Sequence, residues 1–114
     1  MKILHCVESY YPNVGGMQEV VKQLSERLAK LGHEVIVCTR FHNERNYNEL
    51  NGVKLEIFKI EGNPITVNTD EEKRYQDYLL NTNADVITFF AAQQWATNLA
   101  LPILKNIEAK KVSV

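Results

Sequence analysis

The fold of this chain is decided by residues 2–39, KILHCVESYYPNVGGMQEVVKQLSERLAKLGHEVIVCT. Short, nearly continuous apolar runs at residues 2–8 and 33–39 are typical of central parallel strands that are covered on both faces. Between them, apolar side chains recur at helical spacing opposite a charged face, which predicts an amphipathic helix. Its predicted core-facing residues are Met17, Val20, Val21, Leu24, Leu28 and Leu31. Strand, helix and strand in this order predict a right-handed βαβ unit.

The rest of the chain continues the alternation of strands and helices. Three further apolar runs predict strands, at residues 53–60, 84–90 and 111–114, and the alternating pattern of the first places it near the sheet edge. Residues 69–72, TDEE, have the form of a capping box and predict a short helix, whereas residues 93–107 predict a helix that Pro102 kinks or splits. This order predicts one α/β domain over residues 1–114, with an open, doubly wound, mostly parallel sheet.

Composition limits the classes of partner. The chain has 114 residues, 45% of them hydrophobic, and 13 basic against 14 acidic residues give a net charge of -1. Without a large positive field, nucleic acid is not an expected partner. The apolar start is too short for a signal peptide or a transmembrane segment, so a cytoplasmic location is expected. Cys6 and Cys38 lack the spacing of a metal site and are predicted to be buried free thiols.

Gly15 and Gly16 stand between the first strand and the first helix. The N–H groups of a first helical turn are unpaired and the helix dipole is positive there, so a phosphate can bind without any side chain. Glycine lets such a ligand approach the N–H groups of Gly16, Met17 and Gln18 closely. A tight turn that needs positive φ is the alternative explanation for two adjacent glycines.

Spacing narrows the choice of phosphate ligand. A dinucleotide-binding motif, GxGxxG, would need a third glycine that the sequence does not have, and no Gly-Lys-Ser/Thr follows to complete a P-loop. Arg40 ends the second strand where an acidic residue would bind a ribose, so an NADP-linked reductase built on Arg40 stays a weak alternative.

These motifs carry a resemblance to a known family. Residues 2–39 resemble the amino-terminal signature of the retaining glycosyltransferases of family four, which have the GT-B fold: a strand, a P-x-x-G-G loop, an amphipathic helix ending in L-x-x-x-G-H-E-V and a second strand. Residues 83–90, NADVITFF, resemble the fourth strand of that family more loosely. The resemblance implies a Rossmann-like, three-layer α/β/α domain.

The resemblance also implies a function. Such enzymes transfer a sugar, with retention, from a nucleotide-diphosphate sugar to an acceptor hydroxyl on a carbohydrate, a lipid-linked group or a small molecule. It implies a donor-diphosphate site at Gly15, Gly16 and Met17, with no metal and no further cofactor. Asn13, Gln93 and Gln94 are the candidate residues for binding the acceptor.

The remaining expectations concern what a second domain would add. By resemblance, residues 1–114 are the truncated amino-terminal, acceptor-side half of a two-domain enzyme, and the complete protein is expected in the cytoplasm or peripherally at the membrane. The catalytic residues, which stay unknown, and an E-x7-E pair of carboxylates are expected beyond Val114. The 114 residues alone are therefore expected to be inactive.

A second hypothesis, of another class, stays open beside the transferase. The alternative is a non-catalytic Rossmann-like module that binds a phosphorylated metabolite or a protein partner through its open edge. In either case, Trp95 and His5 are assigned to the core rather than to a site.

Overall fold

The computed structural model describes residues 1–13, 15–91 and 94–114. Within them, the strands are β1 Lys2–Cys6, β2 Glu34–Arg40, β3 Glu49–Leu50, β4 Val53–Phe58, β5 Val86–Phe89 and β6 Lys110–Ser113. The helices are α1 Gly16–Lys30, α2 Asp70–Asn81 and α3 Trp95–Asn98, followed by a 3-10 helix at Leu101–Asn106.

The strands form one sheet in the order β3-β4-β2-β1-β5-β6. All neighbouring pairs are parallel except β3, which is antiparallel to β4. The chain winds outward from β1 through β2 to β4 and then returns to β5 on the other side of β1. This is the predicted open, mostly parallel α/β architecture, and its winding reverses between β1 and β5. In open α/β sheets generally, ligands bind at such a reversal, outside the carboxyl ends of the strands.

Two hydrophobic clusters cover the two faces of the sheet. One contains Leu4 and Cys6 of β1 together with side chains of α2 and α3, and the other contains Val7 and Val21. Because successive side chains of a strand point to opposite faces, this division indicates helices on both faces. The prediction of a three-layer domain is therefore confirmed, and both cysteines are buried free thiols as expected.

Helix α2 contributes more to the core than a short capped helix suggested. The predicted capping box is present at Thr69, and the helix extends over 12 residues. Its Tyr75 packs edge-on against Trp95, with ring centroids 4.8 Å apart, and donates a hydrogen bond from its hydroxyl to the carbonyl oxygen of Ala96 at 2.6 Å. Pairs of aromatic rings in this arrangement contribute about 0.5–1.5 kcal/mol beyond the area they bury.

The predicted buried face of α1 is largely wrong. Val21 is fully buried and Leu28 is half-buried, but the other four predicted core residues are exposed: Met17, Val20, Leu24 and Leu31. The residue that accompanies Val21 toward the sheet is Ser25, whose hydroxyl lies 2.7 Å from Nδ1 of the buried His5. The rotation of α1 thus places a polar contact where the apolar pattern predicted Leu24.

One edge strand of the sheet was not predicted, whereas the division of the last helical segment was. The two-residue strand β3 was not predicted, because two residues carry no recognisable periodicity; it makes β4 the second strand from the edge. The predicted split of the last helical segment is confirmed, with Pro102 in the first turn of the 3-10 helix.

Candidate functional site

The candidate site lies at the carboxyl end of β1, where the chain turns into α1. Tyr10 is buried beneath this turn, and the N–H of Asn13 donates to its carbonyl oxygen at 3.0 Å. The peptide bond between Tyr11 and Pro12 is cis. Asn13, a predicted acceptor-binding residue, is exposed, and Gly15 stands two positions further on, at the entrance to α1.

The conformation of the two glycines does not explain their presence. Gly15 is extended, with φ 175° and ψ 168°, and Gly16 is the first residue of α1. The glycines with positive φ in the described residues are Gly32, Gly52 and Gly62. The alternative of a tight turn that needs positive φ is therefore wrong for this pair.

Packing does not require a glycine at position 16 either. Apart from its chain neighbours and the backbone of its own helix, a Cβ added to Gly16 would meet no heavy atom within 4 Å, whereas one added to Gly15 would come within 2.4 Å of Oε1 of Gln18. Glycine in a helix costs about 0.5–1 kcal/mol relative to alanine. The space beside the Cα of Gly16 is therefore open, and packing does not account for a glycine there.

Within the described residues, side chains leave the backbone donors at this entrance uncapped. In the described parts of the chain no side chain caps α1, and its first intrahelical bond runs from the N–H of Glu19 to the carbonyl oxygen of Gly15 at 3.1 Å. The N–H groups of Gly16, Met17 and Gln18 precede that bond, and Met17 is exposed. This arrangement can bind an anion through backbone N–H groups and the helix dipole.

Gln18 connects this turn to the end of β1. Its Nε2 donates to the hydroxyl of Ser9 at 2.6 Å, and both side chains are at least half-buried. The side chain of Gln18 therefore bridges the two ends of the glycine-containing loop.

The other two predicted acceptor-binding residues follow β5, the parallel neighbour of β1. Gln94 is the residue that precedes α3, is half-buried, and accepts a hydrogen bond on its carbonyl oxygen from the N–H of Asn98 at 2.8 Å. Gln93 lies outside the described residues. Because β1 and β5 are parallel neighbours, Asn13 and Gln94 share one edge of the sheet.

Backbone strain marks the same segment after β5. Ala91 has φ 68°, a left-handed conformation that costs an L residue about 1–2 kcal/mol. Its carbonyl oxygen accepts a hydrogen bond from the hydroxyl of Thr97 at 2.8 Å, and its N–H donates to the carbonyl oxygen of Val114 at 3.0 Å. Strained non-glycine residues concentrate at functional sites.

Arg45 is a residue of the site region that the sequence did not reveal. It is 8% exposed, and its guanidinium donates to three carbonyl oxygens: those of Tyr11 at 3.0 Å, Arg40 at 2.9 Å and Tyr10 at 3.3 Å. Burial lowers the pKa of Arg45. It joins the glycine-containing loop to the end of β2, but it stands in a polar loop without a motif, so no local signal identifies it.

Three other candidates have structural roles. Trp95 is fully buried and its Nε1 donates to the carbonyl oxygen of Glu8 at 3.2 Å, so it belongs to the core as predicted. His5 is also buried, and desolvation lowers its pKa to about 4. Arg40 pairs with Glu8 at 3.8 Å and donates to the carbonyl oxygen of Gly62, which argues against the NADP alternative.

The described residues offer neither a membrane span nor a metal cluster. None of the helices in those residues is long and apolar enough to cross a membrane. Over the same residues, no group of three or more His, Cys, Asp and Glu side chains is arranged to hold a metal ion.

The fold and this edge define a class: an open α/β domain in which, within the described residues, the helix entrance beside the reversal of winding has no side-chain cap. The model of the family described as Glycosyltransferase Family 4 matches residues 14–110, and the chain belongs to this family. It is also similar to a phosphatidylinositol N-acetylglucosaminyltransferase subunit of Arabidopsis thaliana, with 28% identity over 69 residues. Those residues are 60% of this chain and 15% of that protein, so the chain spans a small part of that relative.

Proposed function

We propose that this chain is the acceptor-side domain of a retaining glycosyltransferase that uses a nucleotide-diphosphate sugar as donor. Membership of glycosyltransferase family 4 supports the transferase class. The similar Arabidopsis protein is named for N-acetylglucosaminyl transfer and phosphatidylinositol, which supports a sugar donor and an acceptor that carries hydroxyl groups.

The entrance to α1 is the observation that carries the proposal. Gly16 has neither a conformational nor a packing requirement for glycine, and the donors of the first turn have no side-chain cap in the described residues. An anionic ligand that approaches the backbone closely accounts for both facts. We therefore assign the donor diphosphate to the N–H groups of Gly16 and Met17, with Gly15 leaving the approach open.

The chemistry of transfer suits this arrangement. Negative charge develops on the departing nucleoside diphosphate as the bond to the sugar breaks. Preorganised N–H donors stabilise such charge without reorganising during the reaction, and removing one donor from a comparable site costs about 10²–10³ in turnover. In this role the helix entrance stabilises the leaving group and needs no metal ion.

The chain by itself is expected to lack transferase activity. A helix terminus contributes about 0.3–2 kcal/mol toward an anion, whereas micromolar affinity needs about 8 kcal/mol. We propose that a second domain supplies most of the donor affinity and the catalytic carboxylates. Sugar transfer by the 114-residue chain alone would contradict this part of the proposal.

Ligand protection of the full-length polypeptide that carries this domain tests the proposal. UDP-sugars, GDP-sugars and NADPH are titrated separately, and the midpoint of thermal unfolding is followed, because a ligand that binds only the folded state raises it. Protection by a nucleotide sugar that is lost in Gly16→Val supports the proposal. The variant Gln23→Val, on the exposed surface of the same helix, is the matched control.

Two results would overturn the proposal. Protection by NADPH alone would favour the reductase alternative. Equal protection by a nucleotide sugar in Gly16→Val and in Gln23→Val would show that the donor does not bind at the entrance to α1. This conclusion would hold even if the protein were a transferase.

A further inference from the structure

The loop between β1 and α1 is held in its first half by Arg45, a side chain distant in the sequence. The buried guanidinium donates from Nε to the carbonyl oxygen of Tyr11 at 3.0 Å and from Nη2 to that of Tyr10 at 3.3 Å. Among the described residues, no other residue outside this loop donates a hydrogen bond to these two oxygens. Arg45 therefore fixes the path of the chain as it leaves β1 toward Gly15.

Arg45 is itself attached to the end of β2. Its N–H donates to the carbonyl oxygen of His42 at 3.0 Å, and its Nη1 donates to the carbonyl oxygen of Arg40 at 2.9 Å. Arg40 is the last residue of β2, and the register pairs it with Phe58 of β4. Because paired strands are a more rigid support than a loop, the guanidinium ties the loop to a fixed part of the sheet.

The shape of the guanidinium suits this task. Its N–H groups form a rigid, planar fork, so the carbonyl oxygens that it contacts are held at defined relative positions. Two of these oxygens belong to the loop and the third to the strand end. A lysine carries the same charge on a single nitrogen at the end of a flexible stem, and does not impose this geometry.

The charge of Arg45 is not neutralised by a carboxylate in the part of the chain that the structure describes. Burial of a charge without an ion pair is costly, and neutral side chains can also donate to carbonyl oxygens. The positive charge beside the loop thus has the sign that an anionic ligand requires. The ion pairs of the described residues involve other cations: Lys22, Arg40, Lys54, Lys73 and Arg74.

The second half of the loop is held from α1. Nε2 of Gln18 donates to the hydroxyl of Ser9 at 2.6 Å, and the side chain of Gln18 lies so close to Gly15 that a Cβ there would come within 2.4 Å of Oε1. Arg45 and Gln18 therefore restrain the chain before and after the glycines. The N–H groups of Gly16 and Met17 follow directly from this restrained segment.

We propose that Arg45 is a positioning residue for the donor diphosphate: its guanidinium holds the loop so that the N–H groups of Gly16 and Met17 are aligned on the phosphates. The inference rests on the proposed function for the identity of the ligand. Arg45 acts through the carbonyl oxygens of Tyr10 and Tyr11 and does not itself contact the donor. Its loss therefore weakens the binding of a diphosphate and leaves the binding of the nucleoside part unchanged.

Isothermal titration calorimetry of the full-length polypeptide that carries this domain tests the inference. The probes are UDP, GDP and the corresponding nucleosides, whose weaker binding is measured by competition. In Arg45→Lys, which keeps the charge, we expect the Kd of the nucleoside diphosphate to rise about three- to tenfold and that of the nucleoside to stay the same. Arg27→Lys, at an exposed residue of α1, is the matched control and changes neither Kd.

Thermal midpoints are measured first, so that every titration is made well below unfolding. An equal Kd for the diphosphate in Arg45→Lys and in the wild type overturns the inference. An equal rise in Kd for the diphosphate and the nucleoside also overturns it, because a smaller population of competent protein weakens the binding of both ligands by the same factor.

Amide chemical shifts of the 114-residue chain test the positioning step without any nucleotide. In Arg45→Lys, we expect the amide signals of Gly16 and Met17 to shift, although neither residue contacts Arg45 through a hydrogen bond. The control Arg27→Lys, eleven residues along α1 from Gly16, leaves them unchanged. Unchanged amide signals of Gly16 and Met17 in Arg45→Lys would show that the guanidinium does not determine their arrangement.

Failure of this inference is distinguishable from failure of the proposed function. A wild-type protein that binds neither UDP nor GDP contradicts the proposed function, and the role of Arg45 fails with it. A wild-type protein that binds one of them, while Arg45→Lys binds it equally well, contradicts only the role of Arg45.

Discussion

The first turns of α1 and α2 both contain backbone N–H groups without an intrahelical acceptor, but the two helices differ in what caps these groups. At α2, the hydroxyl of Thr69 accepts from the N–H of Glu72 at 3.2 Å, and the carboxylate of Glu72 accepts in return from the N–H of Thr69 at 3.1 Å. At α1, Gly15 and Gly16 provide no side chain at all. The entrance of α2 is satisfied by its own side chains, whereas in the described residues the entrance of α1 has no side-chain cap.

The first turns of the two helices also differ in their acidic residues. The first turn of α2 contains Asp70, Glu71 and Glu72, and hydrogen bonds from Arg74 and from the N–H of Lys59 lower the pKa of Glu71. The first turn of α1 contains Glu19 as its acidic residue. Carboxylates in a first turn already interact with the helix dipole, so the electrostatic attraction that remains for an anionic ligand is weaker. A helix entrance is thus a candidate anion site only where the chain leaves it uncapped.

The largest expected change in stability concerns His5, the buried residue that contacts Ser25 of α1. Burial lowers the pKa of His5 from its ordinary value of 6.5 to about 4, so the unfolded chain binds a proton in this window that the folded chain does not. The stabilisation is complete above pH 6.5 and is lost as the pH falls toward 4, by about 3 kcal/mol in total. Urea unfolding near pH 7.5 and near pH 4 measures it.

The variant His5→Asn isolates this contribution, because it removes the titrating group and keeps a polar partner for Ser25. We expect the wild-type chain to lose about 3 kcal/mol more than the variant between the two pH values. An equal loss in both proteins would mean that His5 is not held neutral under α1.

The open entrance of α1 is tested by filling it. Gly16→Val in the full-length enzyme should lower turnover at least about 100-fold, because the side chain enters the space in front of the N–H donors. The thermal midpoint should change little, since a Cβ there meets no neighbouring atom within 4 Å. Steady-state kinetics with melting curves distinguish a site from a packing role, for which stability would fall together with turnover.

The closed entrance of α2 is tested by removing its cap. Thr69→Ala should lower the free energy of unfolding by about 1 kcal/mol, because the N–H of Glu72 loses its acceptor. Chemical denaturation measures the change, and Thr66→Ala, an exposed threonine in the preceding loop, serves as the control. If the free energy of unfolding falls no more in Thr69→Ala than in the control, the side chain of Thr69 does not stabilise α2 and the two entrances do not differ in this way.

Alanine at the open entrance should have the opposite sign. Gly16→Ala should raise the free energy of unfolding by about 0.4–1 kcal/mol, because the unfolded chain loses conformational freedom and the folded chain meets no clash. The same denaturation experiment measures it. Destabilisation by alanine would indicate a local requirement for glycine and would weaken the argument for a ligand.

Much of the fold was predictable because its elements carry strong local signals. The apolar runs of β1 and β2, the glycine after α1 and the capping box at Thr69 each specify a conformation with few neighbours involved. Pro102 splits the last helical segment for the same local reason. The position of the donor-site candidates Gly15, Gly16 and Met17 followed from element order alone, while their assigned role stays a prediction.

Other features could not be predicted from spacing. The orientation of α1 depends on a hydrogen bond between Ser25 and His5, which are 20 residues apart, and so its exposed apolar residues looked like core. Arg45 acquires its role from carbonyl oxygens as far as 35 residues away in the chain. A cavity of about 900 Å³ lies beside Phe41 because the ends of β2 and β4 meet the first turn of α2.

The amino-acid sequence by itself determined the order of strands and helices, the family and the location of the uncapped glycines, because these depend on periodicity and on residue type at short range. Only the tertiary structure decided which face of α1 is buried, that Gly16 is free of conformational and packing demands, and which side chains surround the cavity. Those properties depend on hydrogen bonds and contacts between residues distant in the chain, and local composition does not specify such contacts.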